Sequence, residues 1–191
     1  MRFTHLKRMS AAIAMTGTAI LIPAIALASP GSPATAAKSA AAAAPRCRTG
    51  ALTDWIGLPG DRTAGSTYYM LEISNTSGAT CSLFGFPGVS AVSAGGHQLG
   101  RAARRSSGWS ELPLTLKPLA TVHVVLQITD VRNFAASACH PATAVGLRVF
   151  APGAYTSRVV PFTFRTCALR GPAVLYVSAA IGGTGIPGQG N

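Results

Sequence analysis

Between its cysteines the chain places apolar residues at every second position. In TVHVVLQIT, Val122, Val124, Leu126 and Ile128 fall on one face and Thr121, His123, Gln127 and Thr129 on the other, the alternation of a half-buried strand. Residues 66–74 repeat it, with Tyr69, Leu71 and Ile73 sharing one side and Glu72 pointing away, before the turn cluster Asn75-Thr76-Ser77-Gly78. Further strands are expected at residues 80–86, 89–93, 144–150, 159–164 and 173–178, rich in β-branched and aromatic residues and separated by Pro and Gly. The pattern predicts an all-β fold of about seven to eight short strands. Its short connections leave little room for the helical crossovers of a parallel sheet, so an antiparallel β-sandwich is expected, with a jelly roll or an open barrel as alternatives.

Both ends of the chain break the alternation. Arg2, Lys7 and Arg8 precede a mostly apolar run over residues 11–28 that closes on Ala26-Leu27-Ala28, the layout of a secretion signal. Thr16, Gly17, Thr18 and Pro23 interrupt this run, whereas a permanent span wants about 20 predominantly apolar residues. A signal peptide is therefore expected at residues 1–28, cleaved after about Ala28, with a secreted product and no stable membrane span afterwards. Cys47 lies too far downstream to serve as an acylated first cysteine. Residues 29–45 read SPGSPATAAKSAAAAAP and cannot bury enough surface to offset their ordering entropy, so a flexible spacer is expected. The glycine-rich tail, residues 182–191, is expected to fray. One domain of ordinary size remains, residues 46–181.

Composition agrees with such a domain: 48% hydrophobic residues against 11% charged fit a packed body, and 21 glycines with 13 prolines argue for many turns. Sixteen Lys and Arg face five Asp and Glu; three of the basic residues lie in the leader, which leaves the mature chain a surplus of eight positive charges. That surplus suits an anionic wall polymer or acidic lipid heads. Only Arg101, Arg104 and Arg105 cluster, in a Gly- and Ser-rich stretch without interleaved aromatics, so a solvated loop is expected there and no nucleic acid. Four cysteines in an exported chain imply two disulfides. Among three connectivities, Cys47–Cys81 with Cys139–Cys167 is favoured; each would close a loop of about 30 residues, worth roughly 3 to 4 kcal/mol in the chain-entropy account. No C-x-x-C spacing supports a redox dithiol or a compact zinc site.

Candidate chemistry is sparse. The mature chain holds only His97, His123 and His140, with Asp54, Asp61, Glu72, Glu111 and Asp130, and no G-x-S-x-G elbow. Catalysis is not expected, and neither a cofactor nor a metal is, since isolated histidines beside Met70 make a poor ligand set. His140 reads as a turn residue before Pro141, His97 as a hairpin tip after Gly95-Gly96, and His123 as solvent-facing on its strand. Trp55, before Ile56-Gly57-Leu58-Pro59-Gly60, and Trp109, after Ser107-Gly108, each adjoin a loop; they either close the ends of the core or stack on a ligand. Asn75-Thr76-Ser77 matches a glycosylation acceptor, but a turn is the better account.

The succession of Cys47, YYMLEISNTSGATCSLFGFPGVSAV, LTLKPLATVHVVLQITD, Cys139-His140-Pro141 and VVPFTFRTCA resembles the domain of unknown function 4232 family, secreted or lipoprotein domains of high-GC Gram-positive bacteria. The resemblance spans nearly all of residues 46–181 and implies an immunoglobulin-like sandwich, an extracytoplasmic location and paired cysteines. It supplies no activity and no site residues. Leu119 stands where the resembling segments tend to read Lys-Pro-Gly, and suggests a type I turn that needs no glycine. The expected function is a non-enzymatic binding module at the cell envelope or in the medium, with Trp55, Arg101, Arg104, Arg105 and Trp109 as possible contacts to an anionic polymer or an extracellular protein. The alternative is a secreted hydrolase inhibitor that presents residues 95–110, with Arg104-Arg105 suited to a trypsin-like pocket.

Overall fold

The computed structural model describes residues 43–63 and 65–185; the expected signal peptide, its cleavage site and most of the spacer lie outside these residues. The described chain is all-β and sandwich-like, with twelve strands: β1 (Leu52–Thr63), β2 (Ser66–Asn75), β3 (Cys81–Phe84), β4 (Gly88–Val92), β5 (Gln98–Leu99), β6 (Arg104–Arg105), β7 (Pro113–Leu116), β8 (Thr121–Thr129), β9 (Pro141–Phe150), β10 (Arg158–Cys167), β11 (Leu175–Val177) and β12 (Ile181–Gly182). Helix is confined to 3₁₀ turns at Thr49–Ala51 and Val131–Asn133 and one α-turn, α1 (Ala136–Cys139). One sheet has the order β1-β2-β8-β11-β6, with β12 also on β8; a second has the order β10-β9-β4-β5; β3 and β7 form a separate ribbon.

All seven strands expected from the alternation are present, as β2, β3, β4, β8, β9, β10 and β11. The total exceeds the expected seven to eight because β5, β6 and β12 have two residues each, too short to show a period, and because β1 and β7 were not anticipated. Strand β1 runs straight through the Gly-Leu-Pro-Gly stretch read as a loop, with register shifts between Ile56 and Pro59 and between Pro59 and Arg62. It is an edge strand, where a proline without an N–H and a bulge are both tolerated.

The inner faces meet in one core, in which Leu71 and Ile73 of β2, Val122, Val124 and Leu126 of β8, Val89 and Ala91 of β4, and Leu147 and Val149 of β9 are all buried. Tyr69 reaches across the sandwich and packs edge-on against Phe162, with ring centroids 4.9 Å apart. The cysteines pair sequentially, Cys47 with Cys81 and Cys139 with Cys167. The first bridge pins the lead-in to β3, and Ser82 also donates its N–H to the Pro45 carbonyl at 2.8 Å and its hydroxyl to that of Ala44 at 2.9 Å. The packed body thus takes in the last residues of the expected spacer. Asn75 is fully buried; its Nδ2 donates to the carbonyls of Ala79 at 2.8 Å and Leu116 at 3.0 Å, so it organises two turns and presents no amide for glycosylation.

Three expectations need correction. Glu72 and His123 do lie on the outer face of their strands, but each is buried, because residues 183–185 cross over them. The tail therefore begins as a packed segment, with Gly183 donating to the Thr121 carbonyl at 2.9 Å. Leu119 has φ +65°, in the left-handed region, and the turn closes with the Ala120 N–H donating to Lys117 O at 3.0 Å. This is the positive-φ third position of a type II turn, not the type I turn expected.

Leu119 is 81% exposed, so its side chain contributes little packing. An L-residue in the left-handed region costs about 1–2 kcal/mol, while the unfolded-state entropy of glycine takes back about 0.4–1 kcal/mol. We expect Leu119→Gly to raise stability by roughly 0.5–1 kcal/mol, read from the denaturant midpoint at unchanged slope.

Candidate functional site

A cleft with a volume of about 970 Å³ opens at one end of the sandwich. Its walls come from three parts of the chain: the β1–β2 connection, the end of β8 with the segment after it, and the last third of β10. Tyr69, Phe134 and Phe164 are its aromatic lining residues, and Thr63, Thr67, Thr129 and Thr163 are among its polar ones. Arg62, Arg132 and Arg165 are also among its lining residues, and all three are exposed.

Local chemistry fixes each wall. Gly65 turns the chain from β1 to β2 at φ +83°, and a Cβ there would meet Asn133 Nδ2 at 2.5 Å. The Gly65 carbonyl accepts from the Asp130 N–H at 2.9 Å and from Asn133 Nδ2 at 3.0 Å, which ties this turn to the segment after β8. Asp130 caps that segment by accepting from the Arg132 N–H at 2.9 Å. On the far side, the Cys139–Cys167 bridge joins α1 to the end of β10, where Cys167 also pairs with Pro141. The Arg165 wall is thereby stapled to the body of the domain.

Charge in the cleft is one-sided. The only carboxylate in the lining is Asp130, and it is already engaged by Arg132, whose Nε donates to Oδ2 at 2.9 Å. Those hydrogen bonds and the adjacent guanidinium hold the Asp130 carboxyl down at about 2. Arg165 donates from Nη1 to the Thr143 hydroxyl at 3.0 Å. Among the described residues the Asp130–Arg132 pair is the single salt bridge, so neither Arg62 nor Arg165 has a carboxylate partner there.

The residues singled out from sequence do not form one patch. Trp55 lies on β1, whereas Arg104 and Arg105 lie on β6 at the opposite edge of the same sheet, four strand spacings or about 19 Å away. Arg101 donates from Nε to the carbonyls of Arg170 at 3.0 Å and Gly171 at 2.7 Å, and Arg105 stands over the Phe86 ring at 5.1 Å. Arg101 and Arg105 thus make contacts within the domain, while all three arginines remain exposed, as a solvated stretch requires. Trp109 is half-buried, and Trp55 is 38% exposed in mid-strand, not at a core end. His97 is exposed at the β4–β5 hairpin tip, and His140 is exposed in a left-handed turn residue at the end of α1. Sequence reading missed Arg62, Arg132 and Arg165 as a group, since they lie about 33 or more residues apart and carry no local motif.

Two further carboxyl groups, those of Asp54 and Glu72, are displaced upward from ordinary behaviour by burial. Asp54 faces inward from β1, in register with Ile73, and its Oδ1 is buried without a partner. Burial pushes its carboxyl up to about 6, against the opposing pull of the Arg158 guanidinium.

Residues 47–180 match the family model described as Domain of unknown function (DUF4232). No curated protein and no solved structure matches the chain.

Because the folded state raises the Asp54 pKa from 3.8 to about 6, the unfolded chain ionises first as pH rises, and stability present below about 4 is lost on the way to about 6. Burial raises Glu72 in the same direction. Asp54→Asn is expected to shrink the drop in denaturation midpoint between acid and neutral pH without removing it, as measured by denaturant titrations across that range.

Proposed function

The chain belongs to the DUF4232 family, and from that premise we propose that it is an exported, non-enzymatic binding module that takes an anionic ligand, such as a cell-envelope polymer, in the arginine-rimmed cleft. The observation that carries this reading is the charge of the cleft lining: three arginines and a single carboxylate, which is already paired with Arg132. Guanidinium presents a planar fork of donors that matches phosphate and carboxylate oxygens two at a time. The aromatic and threonine lining residues would then supply apolar contact and neutral hydrogen bonds to the uncharged part of a repeating unit.

Export is supported by the leader pattern at residues 1–28 and by two disulfides, which persist in oxidising surroundings. The surplus of positive charge favours encounter with an anionic surface before any specific contact forms. A non-catalytic role is supported by the contents of the cleft, whose lining includes no histidine and whose carboxylate titrates far below the range of a general base at neutral pH. The inhibitor alternative gains no observation in its favour: the backbone of Arg104 and Arg105 is paired with β11 and does not stand out as a loop.

Charge-assisted hydrogen bonds are worth about 1.5–3 kcal/mol each, so Arg62→Ala combined with Arg165→Ala should weaken binding to a soluble poly(glycerol phosphate) roughly tenfold or more. Binding should fall with added salt, and the triple Arg101→Ala, Arg104→Ala, Arg105→Ala variant should lose much less affinity. Calorimetric titration that finds salt-insensitive binding, or a larger loss from the triple variant, contradicts the assignment.

A further inference from the structure

The outer face of the six-stranded sheet carries a second site, remote in kind from the cleft and already filled. Register places Trp55, Glu72 and His123 in one row across β1, β2 and β8, with Met70 and Val125 in the next row. Residues 183–185 lie over these rows. The Gly185 N–H donates to Glu72 Oε1 at 2.9 Å, and His123 Nδ1 donates to the Gly183 carbonyl at 2.8 Å.

Both contacts go to main-chain groups, and the position between Met70 and His123 takes a side chain only if those two residues shift. A Cβ at Gly185 would lie 2.8 Å from Met70 Cγ and 2.9 Å from both Met70 Sδ and His123 Cγ. A carboxylate and an imidazole thus read the backbone of an extended segment, and the sheet surface selects glycine by shape. Glu72 is 1% exposed, yet its Oε2 has no hydrogen-bond partner, so the segment now in place leaves the site half satisfied. A buried oxygen in that state favours a ligand that brings a second N–H.

We propose that this face is a recognition site for an extended, glycine-containing peptide, held closed in cis by residues 183–185 of the same chain. Tethering gives the internal segment an effective concentration in the millimolar range, so even weak contacts keep the site shut against dilute competitors. A peptide with glycine in register and a further donor toward Glu72 Oε2 displaces it.

The test uses the mature full-length chain carrying Gly185→Ala, in which the internal segment no longer fits, and a synthetic peptide of residues 183–191 (GTGIPGQGN) as probe. Binding is followed through Trp55 fluorescence and the His123 ring resonances. At micromolar concentration the peptide should bind the variant and not the parent, and a peptide with alanine in place of Gly185 should bind at least roughly tenfold more weakly, the factor that a steric clash of about 1.4 kcal/mol produces. No binding to the folded variant, or equal binding of both peptides, overturns the proposal. Should the variant lose its disulfides or circular dichroism, the parent is titrated with millimolar peptide while hydrogen exchange at the Gly185 amide is followed. Faster exchange is expected; unchanged exchange at the highest peptide concentration overturns the proposal.

Discussion

Nine residues of β2 pair with nine of β8 in one antiparallel register, from Ser66 opposite Thr129 to Ser74 opposite Thr121, with no bulge between. Because side chains alternate across a strand, this one register assigns every neighbouring residue to a face. It sends Leu71, Ile73, Val122, Val124 and Leu126 into the core and leaves Glu72 opposite His123 on the outside. A slip by one residue would exchange the two sets, exposing the apolar side chains and driving a carboxylate and an imidazole into the core. The rest of the sheet is added to this pair, with β1 along one side and β11 and β12 along the other.

The cleft follows from where the pair stops. The start of β2 and the end of β8 come together at one end of the sandwich, and the chain leaving β8 turns back at Asp130 to meet Gly65. Arg62 enters from β1 and Arg132 from the segment after β8, while the Cys139–Cys167 bridge holds the β10 wall that carries Arg165. Rigid walls of this kind let flexible cationic side chains meet a ligand without reordering the backbone beneath them. The opposite arrangement holds on the outer face, where Glu72 and His123 contact backbone groups and close packing against Met70 and His123 favours glycine at position 185.

Much of the fold was legible because strand alternation and cysteine number are local signals. Val122, Val124, Leu126 and Ile128 announce β8 by themselves, and four cysteines with two comparable spacings announce the bridges. Strand β1 was not legible, since Gly57, Pro59 and Gly60 carry turn signals that an edge position overrides. At Leu119 the local preference of leucine against positive φ pointed away from the type II geometry that the surrounding turn imposes. Alternation placed Glu72 and His123 on the correct face, but it carries no information about a cover contributed from residues 183–185, some 60 to 113 positions away. The arginines of the cleft fail for the same reason: nothing in any one segment says that the other two will line the same pocket, whereas in the one local cluster Arg101 is engaged with carbonyls and Arg105 with an aromatic ring.

The most direct measurement is a map of backbone amide shifts in the isotope-labelled mature chain during titration with a defined poly(glycerol phosphate) oligomer. The account predicts that saturable shifts concentrate at residues 62–67, 129–132 and 163–165, and that they fade as salt is added. Shifts centred instead on Trp55 or on residues 101–109, or no saturable shifts at low salt, would contradict the cleft as the site of anion recognition.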